Sequence, residues 1–295
     1  SEDLGLPCYI DYQTALNVTN KSYMKKVFVE NGVPTSKHVI TGEYKEGLDE
    51  GMEYPLIVKP VDCNSSKGVK KVQNREELKT FVEIAAKLSR TKTAIVEEFV
   101  QGDELSADVY VENGVAKLLC VSRLDKIKNN NKFIIMRGRC APLDDELFYK
   151  IQDVAQKIAD AFGLKNNPML IQMMERKGKL YVLEFSARTG GGQKFILIKQ
   201  VAGFDVVKAV IDLTMGEFPH CEPKRPTDKF VYNEFAYCNP GVFEKVEGLE
   251  ELLQNGVIQN YQIYKTKGME FGEIESSGDR AFGISIHGKN IDEIR

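Results

Sequence analysis

The sequence has no tryptophan and only three histidines among its 295 residues. No stretch approaches the ~20 consecutive apolar residues of a membrane helix. His38, His220 and His287 are scattered, and none of the six cysteines forms a C-x-x-C pair, so a zinc site is not expected. The cysteine spacing also gives no disulfide framework, which makes a reducing cytoplasm the expected compartment. A formal net charge of −3 and a pI near 5.8 give no reason to expect a nucleic-acid partner. Residues Ser1 to Gly5 lack the basic and apolar regions of a signal peptide. They are also without a start Met or a first strand, and an N-terminal domain is expected to precede them. Repeats and low-complexity tracts are missing too. What remains is a globular composition, 42% hydrophobic and 28% charged, long enough for one large domain or two ordinary ones.

Periodicity then orders the chain. Residues from Asn17 open a helix, with Thr19 or Asn20 as cap, that runs to about Asn31 and stops at Gly32. Strands are expected near 37–41, 54–60 and 69–72. Asn74 and Glu77 have the form of a capping box. Behind them Leu78, Phe81, Val82, Ala85 and Leu88 follow a helical spacing. A strand at 94–100 turns at Gly102, and 105–111 with 116–123 form a hairpin through Asn113 and Gly114. A long amphipathic helix runs from Asp144 or Asp145 to about Phe162, and another lies near 204–215. Beyond Glu217 come strands at 230–238, 242–246, 257–264 and 281–287, with a helix at 249–253. They read as a small α+β appendage, which sets the expected domains at 1–216 and 217–295.

The most informative stretch runs from Leu170 to Gly192. It reads as two strands joined at Lys177 and Gly178, followed by a glycine triplet. Gln172 lies on the first strand. Glu184 and Ser186 lie two apart on the second, so they point to one face, and Arg188 continues that parity. Such oxygen-bearing side chains suit Mg²⁺, which takes one or two carboxylates and completes its shell with water and phosphate. The guanidinium suits a phosphate or a developing oxyanion. Upstream, Lys59 follows Ile57 and Val58 on a buried strand. A lysine there needs an anionic partner, because burying an unpaired ammonium is costly.

These clusters recur in one order: Lys21 on the first helix, Lys59 ending a strand, the acidic pair Glu97 and Glu98, then the Gln172–Glu184 hairpin. In that order, residues from about Asn17 to Gly216 resemble the ATP-grasp superfamily, and most of all its carbamoyl-phosphate synthase-like and carboxylate–amine (amino-acid) ligase-like members. The resemblance implies an α+β fold in which two subdomains grip a nucleotide between antiparallel sheets, followed by a small C-terminal domain. It places Lys21 at the nucleotide phosphates, with Lys25 as the competing choice, and Lys59 at the α- and β-phosphates. The loop at 62–68 stands where relatives carry a glycine-rich flap, but only Gly68 remains here, beside Ser65, Ser66 and Lys67. Glu97, Glu98, Phe99 and Val100 resemble the adenine hinge, the backbones of Glu98 and Val100 meeting the base. Glu104 takes the position that accepts from the ribose hydroxyls.

By the same resemblance Gln172, Glu184 and Ser186 are the metal positions, with Ser186 where relatives commonly have Asn. Arg188, with Lys59, is the expected catalytic group, steadying the transferred phosphoryl and the acyl phosphate that results. Gly190, Gly191 and Gly192 let the backbone approach that intermediate. Arg123, Arg137 and Arg139 lie where relatives face the acceptor.

The implied activity is ATP-dependent carboxylate–amine ligation through an acyl phosphate, releasing ADP and phosphate. It calls for ATP, Mg²⁺ or Mn²⁺, and a small-molecule carboxylate and amine. A lid over about residues 50–96 is expected to close on the nucleotide. Two other readings stay open: a carbamoyl-phosphate synthase-type enzyme using bicarbonate or carbamate, and a non-catalytic ATP-binding module. A homodimer is compatible with the sequence, which does not name the substrates.

Overall fold

The computed structural model describes residues 2–63, 67–127, 133–225, 230–290 and 293. Asp11 caps α1 (Tyr12–Thr19) and Asn20 caps α2 (Lys21–Glu30), each side chain accepting from first-turn N–H groups. Of the two caps expected for α2, Asn20 is the one used.

The first sheet follows. It holds β1 (His38–Thr41), β2 (Leu56–Pro60) and β3 (Lys70–Val72), then, after α3 (Arg75–Leu88), β4 (Ala94–Glu98). Their spatial order is β1-β4-β2-β3, antiparallel throughout. The apolar face of α3, with Leu78, Val82 and Ala85, packs on Leu56, Val58, Val72 and Val96. Asn74 caps α3 by accepting from the Glu77 N–H, while the Glu77 carboxylate reaches back to the Gln73 N–H. The box expected there is thus shifted by one residue on its return arm.

The second sheet is larger. The chain supplies β5 (Asp103–Glu112), β6 (Val115–Lys126), β7 (Ile135–Cys140), α4 (Asp145–Ala161), β8 (Asn167–Arg176), β9 (Lys179–Ser186), α5 (Lys194–Ala202) and α6 (Val206–Thr214). It continues with β10 (Phe230–Tyr237), β11 (Gly241–Val242), α7 (Leu249–Gln254), β12 (Asn260–Ile263), β13 (Glu270–Phe271) and β14 (Arg280–Gly288). Eight strands form one sheet in the order β12-β14-β10-β7-β6-β5-β8-β9. Strands from both sides of Gly216 belong to it, so the division expected there falls inside one continuous sheet. The strand expected at 242–246 shrinks to β11, which pairs with β13 alone.

Alternation along the strands decides which residues can reach a ligand. On β5, Leu105, Ala107, Val109 and Val111 face α4 and α2, where Met24, Phe28, Ile151, Val154 and Ile158 complete a core. The intervening Tyr110 packs on the other face against α5 and α6. On β8, Ile171 and Met173 point into the first core, which turns Gln172 the opposite way. On β9, Phe185 does the same for Glu184 and Ser186. With no tryptophan available, Phe28, Phe162 and Phe185 fill that core as a trio of rings with centroids 4.5–6.1 Å apart. All six cysteines are free thiols.

The β8–β9 ladder carries a bulge. Gln172 pairs with Glu184 but Met173 pairs with Val182, leaving Leu183 as the extra residue. Leu183 and Glu184 both line the same cleft as a result, one apolar and one charged.

Candidate active site

The two sheets flank a cleft of about 820 Å³. Lys21, Lys59, Glu97, Gln172 and Glu184, far apart in sequence, meet on its wall. Lys21 sits in the first turn of α2. Its Nζ lies 3.0 Å from Glu184 Oε2 and donates to the Cys63 carbonyl at 2.8 Å. Lys59, at the end of β2, pairs with Glu97 of the neighbouring strand β4. The other Glu97 oxygen lies 2.6 Å from Lys25 Nζ, which also donates to Thr35 Oγ1 and the Val182 carbonyl. Of the two candidate lysines on α2, Lys21 therefore lines the cleft and Lys25 is wholly buried behind it.

Three ammoniums share two carboxylates here, and the excess positive charge suits a polyanion. Burial works against a charged Lys59, but the Glu97 and Glu184 carboxylates outweigh it and raise the pKa. For Lys25 burial prevails over the attraction of Glu97, and the pKa falls. Burial pushes the Glu97 carboxyl up, yet Lys25 and Lys59 together hold it well below the usual carboxylate range.

At the end of β4 the chain crosses the cleft edge as Glu98, Phe99 and Val100. The Glu98 N–H is committed to the Lys37 carbonyl and the Phe99 N–H to Pro55. The Val100 N–H makes no hydrogen bond among the described residues. Phe99 carries the Lys71 ammonium 3.9 Å from its ring centroid. Glu104, on β5, is paired with Lys126 of β6. Ser65 and Ser66 lie outside the described residues. Gly68 is described, and its φ of +74° and the 2.8 Å between a Cβ there and Leu88 Cδ1 leave room for glycine alone.

Gln172 and Glu184 face each other across the β8–β9 ladder, with Ser186 one pleat further on. The Gln172 amide and the Ser186 hydroxyl make no side-chain hydrogen bond among the described residues, so their oxygens remain available. No cluster of three His, Cys, Asp or Glu side chains suited to a metal occurs among the described residues. One carboxylate with two neutral oxygens fits Mg²⁺ or Mn²⁺ completed by water and phosphate, and does not fit a soft metal.

A second cavity, of about 270 Å³, adjoins the first and shares Lys21, Gln172 and Glu184 with it. Ser186, Arg188, the glycine triplet and Lys194 line it. Arg188 is exposed and donates to the Thr189 carbonyl at 2.9 Å. Lys194, in the first turn of α5, is held by Asp108 at 2.7 Å and Ser122 at 3.0 Å. The three arginines expected at the acceptor are placed differently. Arg123 pairs with Asp103, Arg139 with Asp125, and both line the first cleft. Arg137 is bound to Glu234 and lines neither space. Sequence reasoning missed Asn233 and Arg280, which do line the second cavity. They come from the region read as an appendage. A polar Asn233 in strand register with the apolar Val231 and Phe235, on one face of β10, was the available signal.

Residues 52–196 match the family model described as an ATP-grasp domain. Fold, cleft and match together define an ATP-grasp domain over those residues. The chain is 25% identical over 231 residues to a D-alanine–D-alanine ligase of Thermosipho africanus, covering 72% of this chain and 61% of that one. It superposes on an L-amino acid ligase from Bacillus licheniformis with a TM-score of 0.80 at 24% identity, over 99% of this chain and 72% of that one. The biotin carboxylase domain of a Hydrogenobacter thermophilus 2-oxoglutarate carboxylase, solved with MgADP and bicarbonate, gives 0.76 at 16% identity, over 98% and 66%. The chain thus spans 61% of the length of the first of these relatives. No helix among the described residues is long and apolar enough to cross a membrane.

Proposed function

We propose that this chain is an ATP-dependent carboxylate–amine ligase. The observation that carries the reading is the joining of the two cavities through Lys21, Gln172 and Glu184. A nucleotide in the larger space puts its terminal phosphate at that junction, where a small acid in the second space can reach it.

Lys21 and Lys59 exchange their carboxylate partners for phosphate oxygens. The Glu98 carbonyl and the free Val100 N–H meet the adenine edge, and Glu104 accepts from the ribose. Gly68 shapes the flap. Gln172, Glu184 and Ser186 would hold a divalent cation, which would supply positive charge to the reacting phosphates. A carboxylate oxygen attacks the γ-phosphorus and the bond to the β–γ bridging oxygen breaks, releasing ADP. The amine then attacks the acyl carbon, the C–O bond to phosphate breaks, and the amine proton passes to solvent. Arg188 lies where it can carry the charge of the transferred group, with the glycine triplet closing on it. Residues 50–96, on the first sheet, form the lid, and a cytoplasmic setting suits six free thiols.

The test is release of ADP and phosphate with Mg-ATP against pooled carboxylates and amines. Release that needs both supports the ligase. Release that needs bicarbonate alone replaces it with the carbamoyl-phosphate reading.

A further inference from the structure

Arg188 is exposed and forms no ion pair among the described residues. Its Nη1 donates to the carbonyl of its own neighbour Thr189 at 2.9 Å. The three glycines that follow, Gly190 to Gly192, offer no side chain by which the segment can be held, and they leave its backbone unusually free. The order of this segment must come from its two ends. At the near end Phe185 and Ala187 are buried in the core under the large sheet. At the far end stand Gln193 and Lys194.

Both far-end residues are nearly enclosed, at 2% and 9% exposure. Gln193 has a left-handed backbone, φ +65°, which a residue other than glycine keeps only where its surroundings compel it. Its side-chain nitrogen donates to the Gly283 carbonyl of β14 at 3.1 Å. The Lys194 stem lies against Gly190, where a Cβ would stand 3.1 Å from Lys194 Cγ. Its Nζ donates to Asp108 of β5 at 2.7 Å and to Ser122 of β6 at 3.0 Å. The end of the glycine triplet is thus pinned to β14, β5 and β6 of one sheet.

Burial disfavours the Lys194 charge, but the Asp108 carboxylate beside it outweighs burial and raises the pKa, so Lys194 stays charged. Asp108 cancels that charge, which leaves the ammonium little to offer an anionic substrate. The cluster is also poorly made for stability alone, because Asp108 Oδ1 and Gln193 Oε1 are buried without partners, and a buried ion pair seldom stabilises more than apolar groups in its place. What the pair supplies is a fixed point beneath a segment that lacks one.

We propose that Lys194 is a positioning residue: anchored on Asp108 and Ser122, it fixes the glycine triplet and, through that triplet, the place of Arg188 in the second cavity. The proposal rests on the ligase reading for the part Arg188 plays in turnover.

Two readouts in the full chain test it. Lys194→Met and Asp108→Asn are combined, so that neither charge is left buried alone. Trypsin cuts after Arg188. Cleavage there, mapped by mass spectrometry and read against cleavage after Lys177 in the β8–β9 turn, should be at least about tenfold faster in the double variant. With Mg-ATP, acid and amine, its kcat should fall about 10- to 100-fold while KM for ATP moves less than about twofold, since Lys194 does not line the nucleotide cleft. Lys194→Arg, which keeps the charge and alters its reach, should fall between the two. Combined with Arg188→Ala, the losses in kcat should not add. An unchanged cleavage ratio overturns the anchor. Wild-type kcat in the double variant, or losses that add in full to those of Arg188→Ala, overturns the positioning role, and so does a double variant without a cooperative melt. Proteolysis needs no turnover, so a wild-type chain that turns over no acid and amine defeats the ligase reading while the cleavage ratio still decides the anchor.

Discussion

Lys25 Nζ lies 2.6 Å from Glu97 Oε1, and both side chains are enclosed by protein. The second oxygen of that carboxylate holds Lys59, so one buried anion fixes two cations of which only Lys59 reaches the cleft. Breaking a buried ion pair from one side costs about 3–5 kcal/mol. Lys25→Met should lower unfolding free energy by that order in urea denaturation. A loss below about 1 kcal/mol would show that the pair contributes little.

The same carboxylate predicts a response to acid. Glu97 has a lowered pKa when folded, so its stabilisation is complete above the ordinary glutamate value of 4.5 and disappears as pH falls through the depressed one. Wild-type protein should therefore lose stability on acidification below about pH 4–5 more steeply than Glu97→Gln. Parallel pH profiles for the two would remove Glu97 as the source.

Glu184 is the one carboxylate of the proposed metal set. Glu184→Ala should cut turnover by about 100-fold or more, in line with removing a principal charge from the reacting phosphates. Steady-state kinetics at varied Mg²⁺ should show that added metal does not rescue it. Unchanged activity would exclude the metal assignment.

Gly102 joins the Glu98–Val100 segment, the proposed adenine edge, to β5. A Cβ there would lie 2.1 Å from the Glu175 carbonyl oxygen, a backbone atom that cannot step aside. Gly102→Ala should displace the start of β5 with Glu104, raise KM for ATP several-fold, and cost about 1–3 kcal/mol of stability. Normal KM and melting temperature would mean that the β5–β8 edge yields freely.

Much of this site could be read from residue order. Asn20 announced the helix that carries Lys21, and the alternation around Ile171 and Phe185 aimed Gln172 and Glu184 at one face. Other parts depended on long-range geometry. Nothing local distinguishes Lys21 from Lys25, because their difference lies in Glu97 and Val182, distant in the chain. The bulge at Leu183 arises from a register shift that strand periodicity does not encode. Arg123, Arg137 and Arg139 each found an acidic neighbour across a ladder, which one strand's sequence cannot foretell. Arg280 was hidden because β14 returns to the main sheet from a region whose pattern resembled a separate unit.

That return has a mechanical meaning. Gln172, Glu184, Asn233 and Arg280 all ride on one hydrogen-bonded sheet, so the spacing between the proposed metal pair and the far wall of the second cavity is set by peptide geometry. Lys59 and Glu97 ride on the other sheet. A hinge motion between the sheets would open the proposed nucleotide cleft while leaving the walls of the second cavity at a fixed spacing.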